Sequence, residues 1–152
     1  MSIATNWFLT VSDFHLDDFL PYQLAVIAER VSREFAASYR DKFGISRSEW
    51  RVIVHIWAAA PVSVREVHKR VDMDKSKVSR AASRLEEAGL ITKTQDDADR
   101  RLLKLELTAQ GRSMMAELLP LAAKYEAELM ARLGDEADTF RRLLKTLLVE
   151  TP

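Results

Sequence analysis

Cysteine is missing altogether from the 152 residues. Disulfide frameworks, thiolate zinc sites, thiol nucleophiles and thiol redox switching are thereby excluded. Glycine is scarce, at four residues, and these form neither a phosphate-cradling loop nor a Gly-x-Ser-x-Gly elbow. No apolar run approaches the roughly 20 residues a membrane-spanning helix requires. Met1-Ser2-Ile3-Ala4 lacks the basic start and cleavage site of a secretory signal, so a cytoplasmic protein with no membrane partner is expected. Net charge is absent too, since 23 Lys and Arg balance 23 Asp and Glu. Any nucleic-acid reading must therefore rest on how charge is distributed, not on its sum. His15, His55 and His68 are too scattered for metal-ligand spacing, and Asp96, Asp97 and Asp99 lack the glycine and terminal glutamate of a calcium loop. No metal, cofactor or enzymatic constellation is expected.

What is present is helical periodicity with strong punctuation. Residues 1 to about 15 have no clear period and read as an arm that orders by docking elsewhere. Leu20, Leu24, Ile27, Val31, Phe35 and Tyr39 then recur at helical spacing up to Gly44, predicting a long first helix. Ser46-Arg47-Ser48-Glu49 is a capping box, in which the serine oxygen accepts the N3 amide hydrogen and the glutamate reaches back to the cap residue's N–H. The helix it opens should turn Trp50, Ile53, Val54 and Trp57 inward and stop before Pro61. Ser63-Val64-Arg65-Glu66 repeats the box and opens a short helix with Val64, Val67 and Val71 on one side. Asp72-Met73-Asp74 turns the chain into a further helix, with Val78, Ala82 and Leu85 buried and Gly89 as its left-handed stop.

Beyond Gly89, the Ile- and Thr-rich Leu90 to Gln95 and the alternating Leu103 to Leu107 predict two antiparallel strands around the turn cluster Asp96-Asp97-Ala98-Asp99. Thr108 should cap a second long helix carrying Met114 or Met115, Leu118, Ala122, Tyr125, Leu129 and Leu133, with Pro120 expected to bend it. Gly134 should end that helix. Asp135 is the expected cap of a last helix bearing Phe140, Leu143, Leu144, Leu147 and Leu148.

The charge distribution singles out one segment. Between Lys75 and Arg84 stand four cations and no carboxylate, whereas Glu117, Glu126, Glu128, Asp135, Glu136 and Asp138 crowd the C-terminal third. At 100° per residue, Ser76, Lys77, Ser79, Arg80 and Arg84 fall opposite the Val78, Ala82 and Leu85 row. An exposed basic helix of this kind fits the major groove of double-stranded DNA. Lys77 and Arg80 are the candidate base readers, Ser76 and Ser79 their hydroxyl partners, and Lys75 and Arg84 the phosphate contacts. The third position of that helix is Lys77 where the capping boxes have glutamate, which suits a helix start facing phosphates. In the hairpin loop, Arg100 is the candidate minor-groove finger, Asp99 the brace for its guanidinium and Arg101 a further phosphate contact.

Ser46 to Gly111 resembles the MarR family of transcription regulators. The resemblance rests on Glu49-Trp50, on Asp74-Lys75 through Arg84-Leu85-Glu86-Glu87-Ala88-Gly89-Leu90-Ile91, on Asp96-Asp97-Ala98-Asp99-Arg100-Arg101 and on Leu107-Thr108-Ala109-Gln110-Gly111. Ala98 is a departure, standing where a proline or another turn former would be unremarkable. The resemblance implies a mainly α fold with a small β wing: a winged helix-turn-helix at about 46–108, flanked by dimerisation helices at about 16–45 and 109–150 of one domain over 1–152. It further implies a homodimer on a pseudo-palindromic operator, acting as a repressor and released by a small aromatic or anionic effector. The effector cleft would lie between the first helix, the Trp50 helix and the start of the Thr108 helix. Tyr22, Arg30, Trp50 and His55 are candidates there, with none assigned. Dimerisation has a reason of its own, because the apolar stripes on the outer helices exceed what one small core requires. The other readings are an architectural or weakly specific DNA binder and a winged-helix scaffold for protein contacts.

Overall fold

The computed structural model describes residues 13–149. Most of the expected N-terminal arm therefore lies outside the described residues. Contacts group the chain into two units, Met1–Glu34 and Phe35–Pro152. In the first, a short 3-10 turn at Leu16–Asp18 leads into helix α1, Leu20–Phe43, which runs on into the second. Phe14 and Phe19 meet edge to face with ring centroids 5.4 Å apart. The predicted stripe on α1 forms, yet Leu20, Leu24 and Ile27 remain exposed. Gly44 ends the helix with φ +67°, a conformation that only glycine adopts without steric cost.

The second unit carries α2 (Arg47–Ala59), β1 (Val62–Ser63), α3 (Val64–Arg70), α4 (Lys75–Glu87), β2 (Ile91–Gln95), β3 (Leu103–Leu107), α5 (Ala109–Ala131) and α6 (Ala137–Leu148). Both capping boxes form in full. Ser46 N–H donates to Glu49 Oε2 at 3.0 Å while Glu49 N–H donates to Ser46 Oγ at 3.2 Å, and Ser63 and Glu66 repeat the exchange at 2.7 and 3.1 Å. Each box fixes where a helix begins and so aims everything downstream. Helix α4 closes in a Schellman turn: Gly89, at φ +73°, donates to Glu86 O and Leu90 donates to Leu85 O. Thr108 then ties the far end of the hairpin to this turn, its Oγ1 donating to Gly89 O at 2.6 Å and its N–H to Leu90 O at 3.0 Å. Thr108 Oγ1 also accepts the Gly111 amide hydrogen and so caps α5, as expected.

Core packing holds these pieces in place. Val52, Ile53, Ile56, Val67, Val78, Ala82, Leu85, Leu105 and Leu118 are essentially removed from solvent, and full burial stabilises by about 1.5–3 kcal/mol per large side chain. Phe35, Tyr39, Trp50 and Tyr125 form an aromatic cluster joining the end of α1 to α2 and α5. Phe35 sits 5.2 Å from Tyr39, 5.2 Å from Trp50 and 5.4 Å from Tyr125, measured between ring centroids. Burial raises the pKa of the Tyr39 phenol, against weaker opposing effects of nearby arginines, and keeps it neutral.

Four expectations need correction. The sheet has three strands in the order β1-β3-β2, because Val62 and Ser63 pair with Leu105 and Lys104. Two residues are too few to show alternation in a sequence. Trp57 does not point inward; it is 49% exposed, and the inward face of α2 is Glu49, Val52, Ile53 and Ile56. With six large apolar residues on α2, two neighbouring faces fit the period, and the packing selects the β-branched one. Asp135 does not cap the last helix. It lies in a 3-10 turn, Gly134–Glu136, and the cap position falls to Glu136, which makes no side-chain cap bond. Finally, Met114 and Met115 are both buried, where the helical period offered them as alternatives. Helix α5 continues through Pro120 without interruption. No helix among the described residues is long and apolar enough to cross a membrane.

Candidate nucleic-acid interface

Helix α4 buries Val78, Ala81, Ala82 and Leu85, and this fixes its rotation. Lys75, Ser76, Lys77, Ser79, Arg80 and Arg84 are consequently all exposed. Its cap residue, Asp74, makes no side-chain cap bond, unlike Ser46 and Ser63. The turn before it is fixed instead by His68 Nδ1, 3.1 Å from Met73 O.

Folding brings these residues together unequally. Lys77, Arg80 and Arg84 line a groove of about 320 Å³ whose other wall is Ser46, Ser48 and Glu49 at the start of α2. Ser79 lies on the opposite flank, in a shallower groove with Arg80, Ser83, Arg84 and Glu87. Lys75 and Ser76 line neither. The start of α2 was absent from the sequence-based site, although its serine cap was legible; what a sequence hides is that α2 packs beside α4. Glu49 has a double duty there. One carboxylate oxygen holds the cap and the other lies 4.0 Å from Arg84 Nη1, with the glutamate side chain only 11% exposed. Arg84 thus faces a carboxylate of its own protein, which lowers its net attraction for a phosphate relative to Lys77 and Arg80.

The hairpin pairs Ile91 with Leu107 through Gln95 with Leu103 in a continuous antiparallel register. Its loop is organised by Asp96. Oδ1 accepts the N–H of Ala98 at 2.8 Å and of Asp99 at 2.9 Å, while Oδ2 lies 3.6 Å from Lys104 Nζ. A proline at 98 would lack that donor, so the departure at Ala98 supplies one of the bonds that organise the loop. The Asp99 and Ala98 amides, and after them Lys104, hold the Asp96 carboxyl below the usual carboxylate range. A depressed folded-state pKa stabilises the loop fully above the ordinary value of about 3.9, and that stabilisation is lost as pH falls through the folded value. The Ala98 and Asp99 amide resonances are therefore expected to hold still from neutral pH to about pH 4 and to move together only below it. Concerted movement between pH 7 and 5 would show that Asp96 does not organise the wing.

Asp99 braces a different arginine from the one expected. Its Oδ1 accepts the Arg101 N–H at 3.1 Å and lies 3.3 Å from Arg101 Nε. Arg100 instead has its carbonyl held by Gln95 Nε2 at 2.8 Å, and its side chain is exposed. Of the effector candidates, Tyr22 and Arg30 belong to the first unit, while Trp50 and His55 belong to the second. Trp50 is engaged in the aromatic cluster. Burial, and after it the charge of Arg70, lowers the pKa of His55 and favours its neutral form.

A model of the MarR family matches residues 43–102, which hold α2, the α3-α4 pair and most of the hairpin. The transcriptional regulator MgrA of Staphylococcus aureus is 26% identical over 135 residues, covering 88% of this chain and 91% of that protein. A MarR/EmrR family transcriptional regulator from Acinetobacter sp. ADP1 superposes with a TM-score of 0.78 at 28% identity, over 88% of this chain and 95% of that one. Over these residues the chain is similar to the MarR family. MarR members are transcriptional regulators that bind DNA and respond to ligands. The fold is also shared with Bordetella bronchiseptica BpsR, at a TM-score of 0.80 and 21% identity over 91% of this chain and 99% of that one. The structure of BpsR concerns regulation of its DNA binding by 6-hydroxynicotinic acid.

Proposed function

We propose that this chain is a MarR-type regulator that works as a homodimeric repressor and reads a pseudo-palindromic operator. The carrying observation is that every exposed residue of α4 from Lys75 to Arg84 is cationic or hydroxylic, the carboxylates of Glu86 and Glu87 coming only in its last turn, and that this face shares a groove with the start of α2. Lys77 and Arg80 are the base readers in the major groove, with Ser76 and Ser79 beside them; Lys75 and Arg84 hold phosphates. In the wing the roles assigned from sequence change places. Arg101 is the better minor-groove finger because Asp99 accepts from both its backbone N–H and its Nε and so aims it, although the carboxylate offsets part of its charge, and Arg100 takes the backbone. The reader comprises about residues 46–108, and the helices at about 16–45 and 109–150 pair two copies. Support for pairing comes from α6, where Phe140, Leu143, Leu147 and Leu148 lie exposed in the single chain. An aromatic or anionic small molecule is the effector class, by analogy with 6-hydroxynicotinic acid and BpsR.

Selection of bound duplexes from random-sequence DNA tests the reading. A two-fold symmetric motif with half-sites about one helical turn apart is expected, together with affinity that falls steeply with salt. Enrichment of no motif despite salt-sensitive retention would favour an architectural binder, and no retention at all a protein-contact scaffold. On the selected duplex, Arg101→Ala should weaken binding about tenfold and Arg100→Ala by less. The reverse order would restore Arg100 as the finger.

A further inference from the structure

The wing touches the reading helix at a second point that the DNA-contact assignment does not use. Lys93, in the middle of β2 opposite Leu105, is only 16% exposed at its side chain. It donates from Nζ to Ser83 Oγ at 2.8 Å and lies 3.6 Å from Glu86 Oε2. Ser83 and Glu86 sit three apart on one flank of α4, and Ser83 lines the same shallow groove as Ser79, Arg80 and Arg84. A strand lysine is thus anchored to the helix that carries the reading face.

The geometry matters because the two strands of the hairpin are held differently: β3 is paired with β1 at Leu105 and Lys104, whereas β2 is an edge strand that can swing about its base. Here the base is the Gly89-Leu90 turn, bound to Thr108. At ~3.3 Å per residue, the loop that begins at Asp96 lies ~20 Å from Leu90, and Lys93 lies ~10 Å along the same strand. A swing of about 10° about the base would move the loop by about 3 Å, half the width of a minor groove of about 6 Å. Lys93 attaches the β2 edge to α4 halfway out, at the height where β1 holds β3, and so limits that freedom from the side of the reading helix. We propose that Lys93 is a positioning residue: it struts the wing against α4 and so sets the distance between the major-groove and minor-groove contacts. This rests on the DNA-binding reading given above. Arginine-bearing loop and reading helix then meet DNA as one rigid pair, so the strut acts on sequence discrimination more than on overall attraction to phosphate.

The test uses the full chain and two duplexes of equal length, one selected by the unmutated protein from random sequence and one scrambled. Lys93→Met keeps the long apolar stem and removes both polar contacts. It should weaken the selected duplex about tenfold and leave the scrambled one within about twofold. In an Arg101→Ala background the same substitution should cost less than about twofold, since the strut acts through the wing. Ser83→Ala, which retains the lysine charge and exposes no new surface, should act in the same direction and carries the test if Lys93→Met unfolds. Equal weakening of both duplexes, or full additivity with Arg101→Ala, would overturn the strut as a mere stability effect. Unchanged binding by both variants would overturn it outright. An unmutated chain that selects no duplex would instead overturn the DNA reading, and the strut with it.

Discussion

A chain carrying Leu143→Asp and Leu147→Asp is expected to sediment as a monomer and to bind its selected duplex at least about a hundredfold more weakly. The two leucines stand one helical turn apart on α6 and are 51% and 64% exposed, while no residue of α6 is buried within the single chain. The helix is nevertheless built to bury something. Phe140, Leu143, Leu144 and Leu147 follow the helical period, and Arg141, Arg142 and Lys145 occupy the other side. In a two-fold dimer each substitution occurs twice, so four carboxylates would enter the interface, and each lost leucine contact is worth about 1.5–3 kcal/mol. The loss in DNA binding follows from the loss of linkage. Two tethered readers engage two half-sites with an advantage of about a hundredfold or more over either reader alone, without any new contact. Since the monomer's own core does not include α6, the circular dichroism should stay helical, while the thermal midpoint should fall by the stabilisation that dimerisation adds. Analytical ultracentrifugation with a parallel DNA titration is decisive: a variant that remains dimeric would remove α6 from the interface, and an unmutated chain that is monomeric would remove the dimer.

What the sequence revealed and what it concealed divide along physical lines. Ser46 with Glu49 and Ser63 with Glu66 were legible because a capping box closes within four residues, and Gly44 and Gly89 because a left-handed turn leaves glycine as the low-cost choice. The exposed face of α4 was legible because period alone separates Lys77 and Arg80 from Val78 and Leu85. Three kinds of feature were not. β1 is too short to have a pattern. The orientation of Trp57 and the pairing of Asp99 with Arg101, not Arg100, depend on a rotation and a turn geometry that residue types leave open. The contacts of Glu49 with Arg84 and of Lys93 with Ser83 join different elements, and charge complementarity in a sequence offers many such pairs without choosing among them. The resemblance to the MarR family located the parts of the site, whereas packing decides how they bear on each other.

Gly111→Ala is expected to destabilise the chain by about 3 kcal/mol or more, against the direction of helix propensity. Gly111 lies in the first turn of α5, where alanine would ordinarily gain about 1 kcal/mol over glycine. Its backbone angle gives no cause for a glycine; space does. A Cβ built there would overlap the carbonyl oxygen of Leu90 and approach Leu107 Cδ2 to 3.3 Å. The carbonyl has little room to yield, because Leu90 is held from both sides: its N–H donates to Leu85 O and its oxygen accepts from Thr108 N at 3.0 Å. The neighbouring Gly89 carbonyl is held by Thr108 Oγ1 at 2.6 Å, and Arg112 Nη1 donates to Leu107 O at 2.8 Å. To admit one methyl group, the junction of α4, β2, β3 and α5 must open. A chemical-denaturation midpoint measures the cost, and a stabilised Gly111→Ala variant would show that the junction is looser than these bonds imply. The same junction is the base from which the wing projects and from which α5 departs toward the C-terminal helices. Any variant that remains folded at low temperature should therefore lose discrimination between selected and scrambled duplexes before it loses affinity for DNA in general, since phosphate attraction survives a shift of a few ångströms and base contacts do not.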